Sequence, residues 1–188
     1  MPVTINGTSG LITATNYSGS GANLTGLPAG GKIKQVLSVN KTDTTSTTST
    51  SYVDISGITL NITPETNSDV LIQFCYCFGH TYNEGGAIRI ARVKSGTTTY
   101  LATADTAGYN GVNDTMVSYA GSSDPTNQIY HQGFHHLDQS VGGDGSTQIT
   151  YKLQWRIGSG TIWLGRDDTG SISEYAGGNE FTLTEVAA

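Results

Sequence analysis

A chain of 188 residues with 13% charged side chains and 25 glycines has room for one main domain and a short appendage, and hydroxyls and amides rather than ion pairs keep it in solution. Its net charge of -6 speaks against nucleic acid or an anionic membrane as partner, since each calls for a basic stripe that Lys32 and Lys34 alone do not make. No apolar run approaches bilayer length, and Met1-Pro2-Val3-Thr4 lacks the charged and apolar parts of a signal peptide, so cytosolic synthesis without membrane insertion is expected.

Residues 1–31 scatter Leu11, Ile12, Tyr17, Leu24 and Leu27 among Gly, Ser, Thr and Asn, too few apolar groups for a core and without helical or heptad spacing. The segment is either a disordered leader or a stalk whose apolar groups are buried between copies of the chain or against a larger assembly. The second reading is preferred here, with Pro28-Ala29-Gly30-Gly31 as a hinge to a domain at 32–188.

Ile33 to Val39 alternates as a first strand, Ile33, Gln35, Leu37 and Val39 on one face and Lys34, Val36 and Ser38 on the other. Thr42 to Ser51 is nearly all Thr and Ser and fits an exposed edge strand better than a free loop. Tyr52 to Phe78 is the start of the core. Two short runs broken at Ser56-Gly57 lead through the turn cluster at 64–68 to a strand with Val70, Ile72, Phe74, Tyr76 and Phe78 on one face. Cys75 and Cys77 share the other face, about 6.5–7 Å apart at Cα, at or beyond bridging range. They read as two buried thiols, with half of a metal site as the alternative.

Further strands are expected at Ala87–Lys94, around Tyr100 and Thr115–Tyr119, and at Gln128–Asp138, with a turn at Val141–Gly145 that reads as flexible. Ile149 to Ile157 alternates strongly, and Gly158-Ser159-Gly160 predicts a hairpin into Thr161–Leu164. Glu180 to Val186 closes the chain with Phe181 and Leu183 inward. Some eight to ten strands at this spacing, with no helix beyond a turn or two, predict an all-β fold: a single antiparallel β-sandwich of jelly-roll type.

Taken as strings, GKIKQVLSVNKTDTTSTTSTSYVDISGITLNITPETNSDVLIQF at 31–74, ITYKLQWRIGSGTIWLGRDD at 149–168 and FTLTEVAA at 181–188 resemble small tail-fibre-like virion structural proteins of marine cyanobacterial phages. ITATNYSGSGANLTGL at 12–27 is similar to the repeats of phage fibre stalks. The resemblance implies a virion location, a homotrimer, contact with other virion proteins through residues 1–31, and host attachment. Residues 79–148 lie largely outside it, and His135-His136-Leu137-Asp138-Gln139-Ser140 departs from the Phe-Leu-Asp-Ser-Pro type of string expected there.

His131, His135 and His136 lie close in sequence, with His80 elsewhere, but four extended residues put His131 about 13 Å from His135, too far to share an ion on a regular strand. They read as surface or inter-subunit histidines; one from each chain at a trimer axis would be a different matter. No metal or other cofactor is expected. Asp138, Asp144, Asp167, Asp168, Glu174 and Glu180 are the acids a glycosidase could draw on, yet most fall in turns that favour Asp for backbone reasons, and no nucleophile or phosphate-loop string accompanies them. No enzymatic activity is expected. Asn6 and Asn61 match glycosylation sequons that a chain rich in Asn and Thr produces by chance.

Tyr82, Tyr109 and Tyr175, in loops rich in Gly and Asn, are the ligand-facing candidates. Their rings suit stacking on a sugar of a host surface polysaccharide, and equally suit packing on a neighbouring loop or subunit. The expected function is that of a tail-fibre-like virion protein presenting outward loops to a cell-surface glycan; the alternative is a head decoration or capsid fibre protein with a purely structural role.

Overall fold

The computed structural model describes residues 32–81, 85–103, 115–119, 129–167 and 178–187. Residues 1–31, and with them the expected stalk, lie outside this set.

Eleven strands are present among the described residues: β1 (Ile33–Lys41), β2 (Thr45–Thr47), β3 (Val53–Ile62), β4 (Ser68–His80), β5 (Gly85–Lys94), β6 (Thr97–Leu101), β7 (Met116–Tyr119), β8 (Tyr130–Asp138), β9 (Ile149–Ile157), β10 (Ile162–Leu164) and β11 (Asn179–Ala187). All pairings are antiparallel. The first sheet runs β1-β11-β4-β8, with β10 and β2 continuing beside the far end of β4. The second runs β3-β9-β5, with β6 and β7 sharing the outer edge of β5. The chain alternates between sheets as it goes, β1 in the first, β3 in the second, β4 back, β5 across, β8 back, β9 across, β11 back. That path is a jelly roll, as the strand count and spacing predicted.

The core is the set of alternate side chains that face between the sheets. From the first sheet come Val70, Ile72, Phe74, Tyr76 and Phe78 of β4 with Phe181 and Leu183 of β11; from the second come Ile88 and Ile90 of β5 with Ile149, Tyr151, Leu153, Trp155 and Ile157 of β9. The alternations of β4 and β9 were visible in the sequence because most of their outward positions stay at least partly exposed. The aromatic side chains of β4 stack in succession, Phe74 on Tyr76 at 5.3 Å and Tyr76 on Phe78 at 5.2 Å. Phe134 and Tyr130 of β8 extend this layer sideways, at 5.4 Å from Phe74 and 5.5 Å from Phe78.

Four expectations are corrected. The break at Ser56-Gly57 does not end a strand: β3 continues through a bulge where the register shifts between Asp54 and Thr59 and Gly57 takes a φ of 82°. The extra residues let Ile55 and Ile58, three apart, both point inward. A second bulge, between Ile33 and Gln35, pairs Ile33 with Val186. It turns Ile33 to the outer face, away from Gln35, Leu37 and Val39.

The hairpin predicted at 158–160 is a crossing instead. β9 belongs to the second sheet, whereas β10 pairs with β4 and β2 in the first. The chain passes over the end of the sandwich, held by Thr81 N donating to Thr161 O at 2.8 Å and Gly158 N donating to Gly85 O at 2.9 Å. Finally, the turn after β8 is tied down: Val141 is buried, and Gly145 N donates to Pro64 O at 2.8 Å.

Candidate binding surfaces

Tyr82, Tyr109 and Tyr175, the ligand-facing candidates of the sequence, lie outside the described residues, as do Asp168 and Glu174. The other singled-out residues divide between the two faces of the first sheet. Register pairs His131 with Cys77, Gly133 with Cys75 and His135 with Gln73, so these side chains share the outer face. His136 pairs with Ile72 and Asp138 with Val70 on the inner face. His80 is buried at the inner end of the β4 aromatic row, its ring parallel to that of Tyr130 at 5.1 Å. Among the described residues no three of His, Cys, Asp and Glu converge as metal ligands.

Both cysteines are free, and Cys77 is buried as expected. Cys75 is exposed, contrary to expectation. Of its two cross-strand neighbours, Gly133 has no side chain to cover it and Glu180 is itself exposed.

The acids are engaged locally. Asp138 is buried and receives Arg92 Nη1 at 2.8 and 2.7 Å and Tyr151 Oη at 2.8 Å. Asp144 caps its own turn, accepting from Thr147 Oγ1 at 2.6 Å and from the amides of Thr147 and Ser146 at 2.6 and 2.8 Å. The Thr147 hydroxyl and these amides hold its carboxyl far below the usual range. Asp167 is buried. Glu180 projects from the outer face of the first sheet, opposite to Asp138, and accepts from Ser38 Oγ at 2.9 Å and Thr182 Oγ1 at 3.2 Å.

Three surfaces could meet a ligand. On the outer face of the first sheet, the missing side chain of Gly133 opens a concavity of about 490 Å³ whose outward groups are Gln73, Cys75, His135, Glu180 and Thr182. Amide, imidazole, hydroxyl and carboxylate there offer both donors and acceptors, the complement of a hydroxyl-rich ligand.

On the outer face of the second sheet, Arg89 lies between two rings, its guanidinium carbon 3.9 Å from the Tyr52 centroid and 3.6 Å from that of Tyr100. Its Nε donates to Gln154 Oε1 at 2.8 Å, and Asp54 accepts from Gln154 Nε2 at 2.6 Å and Lys152 Nζ at 2.7 Å. Partial burial works against the charge of Asp54, but those two hydrogen bonds and the nearby cations outweigh it and keep its carboxyl below the usual range.

The third surface is Trp163, which pairs with Gly79 and has the Arg166 guanidinium 5.2 Å from its ring. Tyr52, Tyr100 and Arg89 were not legible in the sequence as a group, because Arg89 and Tyr100 lie within strands rather than in the Gly- and Asn-rich loops. The available signal was the alternation that turns Arg89 away from Ile88 and Ile90; the rings that meet it come from β6 and from the residue before β3.

No protein-family model matches the chain. No curated protein matches it. Among solved structures, the chain is similar to "Structure of infectious bursal disease virus Gx strain", at 11% identity and a TM-score of 0.38 over 82% of this chain and 36% of that one. It is also similar to "D431N Mutant VP2 Protein of Infectious Bursal Disease Virus; Derived T=1 Particles", at 10% identity and a TM-score of 0.35 over the same shares. The chain thus spans about a third of the length of those proteins.

Proposed function

We propose that this chain is a structural protein of a phage virion, tail-fibre-like, present in three copies, and that it contributes to host attachment by presenting its surface to a cell-surface glycan. The observation that carries the reading is where the resemblance falls on the fold. The strings at 31–74, 149–168 and 181–188 supply β1, β2, β3, the first half of β4, β9, β10 and most of β11, and so much of the inner strands β4, β11 and β9. What resembles the phage proteins is therefore most of the packed strands that fix the architecture, while 79–148 supplies β5 inside the second sheet and the edge strands β6, β7 and β8.

The chemistry of the outer face of the second sheet agrees with a polyhydroxyl ligand. On the second sheet tyrosine rings flank Arg89, and Gln154 and Asp54 beside them supply amide and carboxylate partners for hydroxyls. Weak contacts to a glycan gain strength when many copies sit on one particle, because tethered sites rebind at high effective concentration. The reading includes no catalysis and no cofactor; residues 1–31 would dock to the rest of the virion.

Two measurements test it. Labelling the protein on intact particles should place it on the virion, and purified protein should bind cyanobacterial host cells or their lipopolysaccharide without releasing reducing sugar. Virion labelling without any binding to cells would favour the purely structural alternative, a head decoration or capsid fibre protein. Absence from purified virions would overturn both.

A further inference from the structure

We infer that the outer face of the first sheet is the surface through which copies of this chain associate. The inference deepens the reading above and rests on it for the number of copies, while the choice of face comes from the distribution of apolar and charged side chains.

Among the described residues, four large apolar side chains are exposed: Ile33 at 62%, Val36 at 56%, Leu137 at 40% and Val53 at 38%. The first three lie at one end of one face. Register runs Val36, Thr184, Leu71 and Leu137 across β1, β11, β4 and β8 in a single row. The adjoining row holds Ile33, Val186 and the half-buried Asp69, and Ile33 is there only because the bulge at Lys34 turns it outward. With the half-buried Leu71 and Val186 the band reaches from one edge of the sheet to the other, broken only by Thr184 and Asp69. Scattered exposed apolar groups need no explanation, but a band assembled by a bulge from both edge strands does.

Charge selects the occupant. Around a rotation axis each copy offers the same patch, so like charges near the axis would oppose each other. The two rows beyond the apolar band hold Ser38, Thr182, Gln73 and His135, then Asn40, Glu180, Cys75 and Gly133. Glu180 is the one carboxylate in these two rows and already accepts hydrogen bonds from Ser38 and Thr182, and Asp69, at the far end of the face, is the other that register places on it. The opposite outer face carries Asp54, Arg89, Lys152 and Arg156. A partner of opposite charge would choose that face; a second copy of this chain fits the first.

Size agrees. Four strands at about 4.8 Å and nine residues at about 3.3 Å make a flat area of roughly 570 Å², most of the roughly 800 Å² per partner that a specific interface buries. Thr, Ser, Gly and Cys across the middle rows let a neighbouring surface approach closely.

The test uses the full chain and light scattering coupled to size exclusion. The unmodified protein should elute as three copies. Val36→Asp and Leu137→Asp, on different strands, should each shift it towards one copy with an unchanged circular dichroism spectrum, while Thr59→Asp on the second sheet should not. A readout without any variant is the Cys75 thiol, which is exposed in the single chain. In the native protein it should react with a maleimide at least tenfold more slowly than after dilution to where copies separate. An oligomer that survives both substitutions with Cys75 reacting freely overturns this face and leaves the multi-copy reading standing. A protein that elutes as one copy at every concentration overturns both.

Discussion

Asp138 shows what a buried charge requires in a sandwich with few of them. Its carboxylate lies against Arg92, Tyr151 and Ser140, with Ser140 N at 3.1 Å and Ser140 Oγ at 3.0 Å completing the set. These contacts tie the end of β8 to β5 and β9 in the other sheet, so one acid considered for hydrolysis is a clamp between layers. Removing one member of a buried pair leaves the other without its counter-charge, which costs about 3–5 kcal/mol. Asp138→Ala should lower the stability by about that amount, read from urea unfolding at pH 7. Tyr151→Phe removes one hydrogen bond to a charged acceptor and should cost less, about 1.5–3 kcal/mol. Equal midpoints for Asp138→Ala and the unmodified protein would show that Arg92 and Tyr151 find water instead.

At the scale of elements, the connection after β9 decides which sheet the next strand joins. Gly160 takes a φ of 74°, and a Cβ there would lie 2.4 Å from Thr81 Oγ1. The Thr81 hydroxyl is not free to move, because it accepts from Thr161 N at 2.7 Å and donates to Thr161 O at 3.1 Å. Gly160→Val therefore combines a left-handed backbone with a clash against a held side chain, and should cost roughly 2–4 kcal/mol in thermal or urea unfolding. Gly96→Ala is the comparison: its φ is 80° but nothing stands within 4 Å, so only the backbone part, about 1–2 kcal/mol, should appear.

This connection also marks how far the sequence was readable. Strands buried on one face announce themselves by alternation, and β4, β9 and β11 were placed with their inward residues. A Gly-Ser-Gly string says that the chain turns, not which sheet it turns into; that depends on β10 finding β4 and β2, far away in sequence. The tight hairpin that does exist joins β5 to β6 at Ser95 and Gly96, with φ of 49° and 80°. The Ser-Gly pair was its signal, masked by the even spread of Thr and Gly around it. The binding surfaces were the least legible part, because Ile33 reaches the outer face through a bulge and Arg89 meets rings from β6 and from the residue before β3.

For the molecule as a whole, the carboxylates that hold it together set its behaviour in acid. Glu185 is buried and accepts from Gln35 Nε2 at 2.6 Å and from Glu65 N at 2.8 Å, joining β1 and the turn before β4 to β11. Burial opposes its charge, but Gln35, the Ser68 hydroxyl and the Glu65 amide outweigh this and keep its carboxyl below the usual range. Asp54 on the second sheet and Asp144 at the end of the sandwich are lowered likewise. A depressed folded-state pKa means that the unfolded chain takes up protons first as pH falls. The stability these groups supply is therefore complete above the unfolded carboxylate range of about 3.9–4.3 and is lost as pH falls through the lower folded values. The urea midpoint should stay level from pH 7 to about 5 and drop steeply below about pH 4. Glu185→Gln should be less stable at pH 7, because an amide cannot accept from both donors as the carboxylate does, and its midpoint should fall less between pH 5 and pH 3. A midpoint that rises over that interval in the unmodified protein, as relief of repulsion in a chain of net charge -6 would produce, would show that the overall charge outweighs these local hydrogen bonds.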